Sequence, residues 1–258
     1  MTKRKEKPEE FHTAVVYSDE QWPYEDKRAV AIVDSIVRDI KPQQLVLIGD
    51  QCDFASLSRF VKHLPPSKAE NLLDEVNYYR ERINGRENLA VEVGARVSWT
   101  MGNHESRLHK YLELAAPQAF ELFEDALSFR RLLEVPDRWA VYEYGDGFWI
   151  GERDSLWITH GHLTALTAPK RYISTYGHSG MSGHTHRAGV TYSTTRIRTD
   201  GWWEIGHLSD ETRLPKAAPV NSWQQAAAVV TYSTTSPRFA VEMVNIIDGE
   251  ALFRGKRY

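Results

Sequence analysis

Apolar residues in this chain arrive in short runs that stop on polar residues, and between the early runs they recur with a helical period. Ala14-Val15-Val16-Tyr17 reads as a buried strand with Asp19 just past its C-terminal end. Over residues 27 to 40, Val30, Val33, Ile36, Val37 and Ile40 fall on one helical face, and Pro42 stops that helix. Leu45-Val46-Leu47-Ile48 predicts a second buried strand that delivers Gly49-Asp50, and Val97 to Met101 a third that delivers Asn103 and His104. Residues 68 to 83 have helical character, as do 106 to 134, where Pro117 breaks the run into two helices.

After residue 134 the texture changes. Trp139 to Tyr144, Phe148 to Ile150, Leu156 to Thr159, Val190 to Thr194 and Ala227 to Tyr232 favour strands through β-branched and aromatic residues. Phe239 to Ile247, Asp248-Gly249 and Ala251 to Arg254 read as a closing hairpin. The pattern is that of an α/β protein, with strand-helix alternation in the first half and strands in the second. Residues 1 to 10, charged and aperiodic, predict a mobile tail. No repeat or low-complexity linker divides the remainder of the chain, so residues 11 to 258 are expected to form a single domain.

Composition narrows the setting more than the chemistry. The hydrophobic share is 41% and the charged share 26%, ordinary for a globular protein. No apolar run approaches the roughly 20 residues needed to span a bilayer, and Met1 to Glu10 lacks the apolar stretch of a secretory signal. Cys52 is the single cysteine, which excludes an internal disulfide and fits a cytoplasmic location without a membrane partner. A net charge of -3 argues against a dedicated duplex binder with a wide basic surface. Arg59, Lys62, His63 and Lys68 form a local basic stretch, read as a solvated helix face in preference to a phosphate contact.

The candidate chemistry lies in five short blocks: Ser18-Asp19-Glu20-Gln21, Gly49-Asp50-Gln51-Cys52-Asp53, Gly102-Asn103-His104-Glu105, His160-Gly161-His162 and Gly183-His184-Thr185-His186. Each supplies side chains able to bind a divalent metal or move a proton, and each except the first begins where an apolar run stops. A block of three or four residues recurs by chance; five in this order point to a two-metal phosphoesterase. In open α/β sheets, sites gather beyond the carboxyl ends of strands, where Asp19, Asp50, Asn103 and His160 all fall.

The set resembles the calcineurin-like metallophosphoesterase superfamily, whose pattern runs Asp-x-His, Gly-Asp-x-x-Asp, Gly-Asn-His-Glu/Asp, His, Gly-His-x-His. Four of the five blocks match; in the first, Gln21 stands at the histidine position. The longer wording Gly102-Asn103-His104-Glu105-Ser106-Arg107, with Tyr176-Gly177-His178 before the last block, is similar to phage-encoded and bacterial members. The resemblance implies a four-layer αββα sandwich of two mixed β-sheets flanked by helices. It also implies two divalent ions: Asp50 would bridge them, Asp19, Gln21 and His186 would complete one shell, and Asn103, His160 and His184 the other. Mn²⁺ is the expected metal, with Fe, Zn, Ni or Co as alternatives, because imidazole, carboxylate and amide oxygen suit borderline or hard ions. A metal-activated water would attack phosphorus. His104, next to the Asn103 ligand but not itself assigned to metal, would protonate the leaving group, and Asp53 would orient it.

The resulting expectation is a phosphodiesterase acting on small nucleotides, 2',3'-cyclic nucleotides first, since a compact chain of this kind resembles such enzymes. The nearest rival is a nuclease or a polynucleotide end-processing phosphatase; nucleic acid as a partner is not favoured, because little clustered Lys and Arg suggests a backbone-tracking groove. A non-catalytic binding module on the same fold is the second rival, supported only by Gln21. Among the other candidates, His12, His63, His109, His178 and His207 read as ordinary histidines, and His162 stays open as a phosphate contact. Cys52 reads as a small packed residue, and Glu105 and Arg107 as structural contacts behind the site. Trp22 reads as packing, with base stacking at the pocket rim as its alternative, and Trp202, Trp203 and Trp223 as core.

Overall fold

The computed structural model describes residues 9–58, 71–152, 155–214 and 222–258. The basic stretch from Arg59 to Lys68 lies outside them, as does most of the predicted tail. Thirteen strands and six α-helices are present among these residues.

The first half alternates as its periodicity requires. β1 (Phe11–Tyr17), α1 (Lys27–Ile40), β2 (Gln44–Ile48), α2 (Leu72–Val93) and β3 (Arg96–Thr100) succeed one another, with β1, β2 and β3 parallel. Helix α1 spans the predicted 27 to 40, opened by the Asp26 carboxylate, which accepts from Arg28 and Ala29 backbone N–H groups. Helix α2 runs ten residues past the predicted 83 and ends at Gly94, in the left-handed conformation. Pro117 interrupts the next helical stretch, as expected. It resolves into three pieces: α3 (Ser106–Ala115), α4 (Pro117–Leu122) and α5 (Phe129–Leu132).

Two sheets carry the fold. The larger has the order β13-β12-β11-β10-β1-β2-β3-β4, where β4 is Ala140–Tyr142, β10 Gln225–Ser233, β11 Phe239–Ile247, β12 Glu250–Phe253 and β13 Lys256–Arg257. The smaller has the order β5-β6-β7-β9-β8, built from β5 (Gly147–Ile150), β6 (Leu156–Thr159), β7 (Gly180–Ser182), β8 (Ala188–Thr194) and β9 (Thr199–Ile205). Both mix parallel and antiparallel pairs.

The alternation within β1 explains the layering. Val15 and Tyr17 face a core shared with Val33, Ile36 and Val37 of α1 and Tyr79 and Ile83 of α2. Ala14 and Val16 face the opposite way, into a core with Ile150, Ile158, Met181 and Ile205 of the smaller sheet. The outer face of that sheet is covered by α6 (Ala168–Tyr176), through Ala168, Tyr172 and Ile173 against Trp202. Helices, sheet, sheet, helix give the four-layer αββα sandwich. Among the described residues, no helix is long and apolar enough to cross a membrane.

Candidate metal-binding site

Parallel strands end together, so the residues just past them share one rim. Asp19 lies just past β1, Asp50 past β2, Asn103 past β3, His160 past β6 and His184 past β7. The two sheets therefore contribute to a single place. Asp50, His160 and His184 offer ligand atoms all within 4.8 Å of one another. His160 Nε2 lies 3.3 Å from Asp50 Oδ2 and 3.3 Å from Asn103 Oδ1. A second group forms around His186, whose Nε2 is 3.1 Å from Asp19 Oδ1 and 3.2 Å from Gln21 Nε2. All seven side chains expected to hold metal thus fall into these two adjoining groups.

The backbone is bent unusually to achieve this. Asp19, Gln21, Asp50, His184 and His186 all have φ between 50° and 68°, the left-handed region. That conformation costs a non-glycine residue roughly 1–2 kcal/mol, and such outliers cluster at functional sites. Two glycines make room. A Cβ on Gly102 would collide with Asp50 Oδ1, and one on Gly183 with Ser18 Oγ and Asp19 Oδ2. Their places in the blocks are set by that close approach.

Buried anchors hold the loops from behind. Glu105, fully buried, accepts from four backbone N–H groups: Asp50 at 2.9 Å, Gln51 at 2.6 Å, Cys52 at 3.0 Å and Gly102 at 2.7 Å. It ties the second block to the third, the structural contact expected of it. Glu20 turns away from the site and meets Arg86 Nη2 at 2.5 Å and Trp22 Nε1 at 2.6 Å. Trp22 is fully buried, which excludes the rim-stacking alternative. Cys52 is buried too, and burial with the nearby Glu105 raises its thiol well above the ordinary range, so it is inert.

The charges here call for cations. Burial opposes a charge on Asp50, but His104 and His160 hold its carboxyl well below the usual range. Burial likewise opposes a charge on His160, yet Asp50 raises it to about 10. In His184, burial and the neighbouring His160 lower the pKa to about 4. Asp19 Oδ1, Gln21 Oε1 and His186 Nδ1 are buried without a hydrogen-bond partner among the described residues. His160 directs its Nδ1 at the Ile48 carbonyl at 2.6 Å, the arrangement that fixes a metal-binding ring. This donor set fits two divalent ions.

His104, 17% exposed, lies at the edge, its Nε2 3.8 Å from Asp50 Oδ2 and its Nδ1 3.5 Å from Asp53 Oδ1. Burial works against a charge on this ring, but Asp50 and Asp53 raise its pKa. Arg107 contacts it directly, donating from Nη2 to His104 Nε2 at 3.0 Å. Asp50 beside Nε2 and Asp53 beside Nδ1 favour the protonated ring, whereas the guanidinium favours a lone pair on Nε2. Arg107 is therefore part of the site, not behind it.

Two further residues were not legible as site residues. His207, fully buried, stacks on His186 with ring centroids 5.0 Å apart and an interplanar angle of 26°. Trp223, expected in the core, is only partly buried and packs edge-on to His186 at 4.4 Å. No local motif marks either; both reach His186 only through folding. His162 is exposed, with its backbone N–H on the Tyr172 hydroxyl at 2.6 Å.

Comparison with known proteins agrees with the geometry. The sequence profile of the calcineurin-like phosphoesterases matches residues 12–225, most of the chain. The chain belongs to this family. Two curated relatives are phage proteins, each called Gene 54 protein. That of Mycobacterium phage L5 is 28% identical over 94% of this chain and 96% of its own length. That of Mycobacterium phage D29 is 28% identical over 91% and 94%. Among solved structures, Vacuolar Protein Sorting 29 from Cryptosporidium parvum is similar, with a TM-score of 0.52 and 11% identity over 96% of this chain and 98% of that one. At that identity the likeness shows the fold alone. Family membership makes the chain a metal-dependent phosphoesterase in kind.

Proposed function

We propose that the protein is a dinuclear metal-dependent phosphodiesterase that hydrolyses small nucleotides, with 2',3'-cyclic nucleotides as the first substrates to test. One observation carries the reading: seven ligand-type side chains converge from both sheets into two adjoining groups, several with buried lone pairs left open. Asp19, Gln21 and His186 would hold one ion and Asn103, His160 and His184 the other, with Asp50 shared between them.

Bound ions would stabilise charge on the phosphoryl oxygens and lower the pKa of an attacking water. The chain's own residues do the rest. Asp50 accepts the His104 backbone N–H through Oδ1 at 2.9 Å, so Oδ2 is the oxygen facing His160 and the His104 ring. The His104 ring, beside Asp50 but outside both ligand groups, is placed to give the leaving oxygen its proton, a role worth ~10²–10⁴-fold. Asp53 faces the ring's other nitrogen and sets its orientation.

The deciding experiment is a panel with added Mn²⁺: cyclic nucleotides, nucleotide diphosphates, single-stranded oligonucleotides and bis-nitrophenyl phosphate, over a salt series. Turnover of cyclic nucleotides with weak salt dependence is expected. Turnover restricted to oligonucleotides and falling steeply with salt would instead identify a nuclease.

A further inference from the structure

The Arg107 guanidinium divides its contacts unevenly. Nη1 donates twice to one residue, to the Asp53 carbonyl at 2.8 Å and to Asp53 Oδ1 at 3.1 Å. That pair satisfies the buried Asp53 carboxylate and fixes the plane of the fork. Nη2 points the other way, and its partner is Nε2 of His104, the same atom that lies 3.8 Å from Asp50 Oδ2. A permanent cation so directed toward a metal-type centre, with only an imidazole to meet it among the described residues, is an unusual use of an arginine. The side chain is 23% exposed.

We infer that Arg107 is a substrate-binding residue, whose Nη2 takes an oxygen of the phosphoryl group that reacts beside Asp50 and His104. Guanidinium matches phosphate oxygens in charge and in planar geometry, and charge-assisted bonds of this kind are roughly twice as strong as neutral ones. An anionic oxygen is a better acceptor than the imidazole lone pair, so substrate draws Nη2 from His104 while Nη1 stays anchored on Asp53. The same small movement frees His104 Nε2, which then takes a proton from solvent beside Asp50 and faces the leaving oxygen. Phosphoryl binding and placement of His104 are thereby linked through one side chain. This inference rests on the phosphoesterase reading for its reaction but not for its binding step.

The test uses the full chain loaded with Mn²⁺, with inorganic phosphate as the probe. Phosphate affinity is measured by calorimetry, and kcat and KM with bis-nitrophenyl phosphate, for the wild type, Arg107→Ala and Arg107→Lys. Loss of a charged hydrogen bond predicts phosphate binding weaker by roughly 10- to 100-fold in Arg107→Ala, with KM raised. Arg107→Lys keeps the charge and loses the fork, and falls between. If Arg107 served only to hold Asp53 and His104, kcat would fall while phosphate affinity and KM stayed as in the wild type, and that result overturns the inference. A wild type that binds no phosphate overturns it as well. Should Arg107→Ala fail to fold, Arg107→Lys decides by the same readouts. Should the wild type bind phosphate but cleave no ester, the hydrolase reading falls while the calorimetry still decides the role of Arg107.

Discussion

Arg86 on α2 is 3% exposed and lies against Glu20, which has no exposure at all. Its Nη2 meets Glu20 Oε1 at 2.5 Å, its Nη1 pairs with Asp34, and its guanidinium sits over the Tyr17 ring at 5.0 Å. Glu20 stands between Asp19 and Gln21, so this ion pair pins the loop that carries one of the two ligand groups. Arg86→Met keeps much of the stem packing and removes the charge. Glu20 would keep the Trp22 indole N–H and a distant Arg82 contact at 3.5 Å, too little for a buried carboxylate. Removing one partner of a buried pair costs about 3–5 kcal/mol. That is a large share of a total stability of roughly 5–15 kcal/mol. For a chain of this size each kcal/mol lowers Tm by about 2–4 °C, so a drop of roughly 6–20 °C is expected. Thermal melts and urea titrations with and without Mn²⁺ would measure it. The double variant Glu20→Gln with Arg86→Met should lose less than the sum of the two singles, since the second change removes a charge already stranded. Additive losses, or a Tm within about 2 °C of the wild type, would refute the claim that this pair holds the loop.

The same geometry sets three other outcomes. His104→Asn should keep fold and metal content but lose ~10²–10⁴-fold in turnover on substrates with alkoxide leaving groups, and much less with nitrophenol; equal losses on both would remove His104 from the proton-donor role. Gln21→His should tighten metal binding at the Asp19 and His186 group, since imidazole is a better donor than an amide, and metal titration showing two sites unchanged from the wild type would mean Gln21 is not a ligand. Gly183→Ala should cost ~1–3 kcal/mol by overpacking and displace the Asp19 carboxylate, lowering metal content. Gly189→Ala, where an added Cβ meets nothing within 4 Å, is the control and should change neither.

The sequence was most readable where one physical cause acted alone. α1 was legible to the residue because a single apolar face and Pro42 agreed. The metal blocks were legible because each ligand type comes after a buried strand whose apolar run stops there. α2 was cut short because its buried face includes Glu75 and Arg86, which look like solvent-facing positions until their partners are known. Strand β9 and helix α6 escaped for different reasons: Gly201 and paired tryptophans blur the alternation of one, and Pro169 in the first turn of the other reads as a break. Trp22 is buried, as its packing reading has it, whereas Trp223 is only partly buried, because an aromatic residue alone does not say which side of a loop it will face. Arg107 touches His104 only one helical turn away, yet a charge on an exposed-looking turn gave no hint of that contact. The supports of the site, Glu20 with Arg86 and His207 beneath His186, depend on pairings across the fold that no local pattern encodes.

The position of β1 has a consequence for how the protein is made. Its partners are β2 on one side and β10 on the other, with Phe11 opposite Ser233 and Val16 opposite Ala228. An interior strand therefore precedes one of its two neighbours by most of the described chain. At about 5–20 residues per second, roughly 10 to 40 seconds separate the emergence of these partners from a ribosome. Throughout that interval the backbone N–H and C=O groups of β1 on the β10 side have no strand to meet, and for most of it the apolar Ala14 and Val16 have no finished second sheet to cover them. An open apolar edge of that kind invites pairing with other chains. The nascent chain thus passes through a window of aggregation risk that closes only when β10 docks.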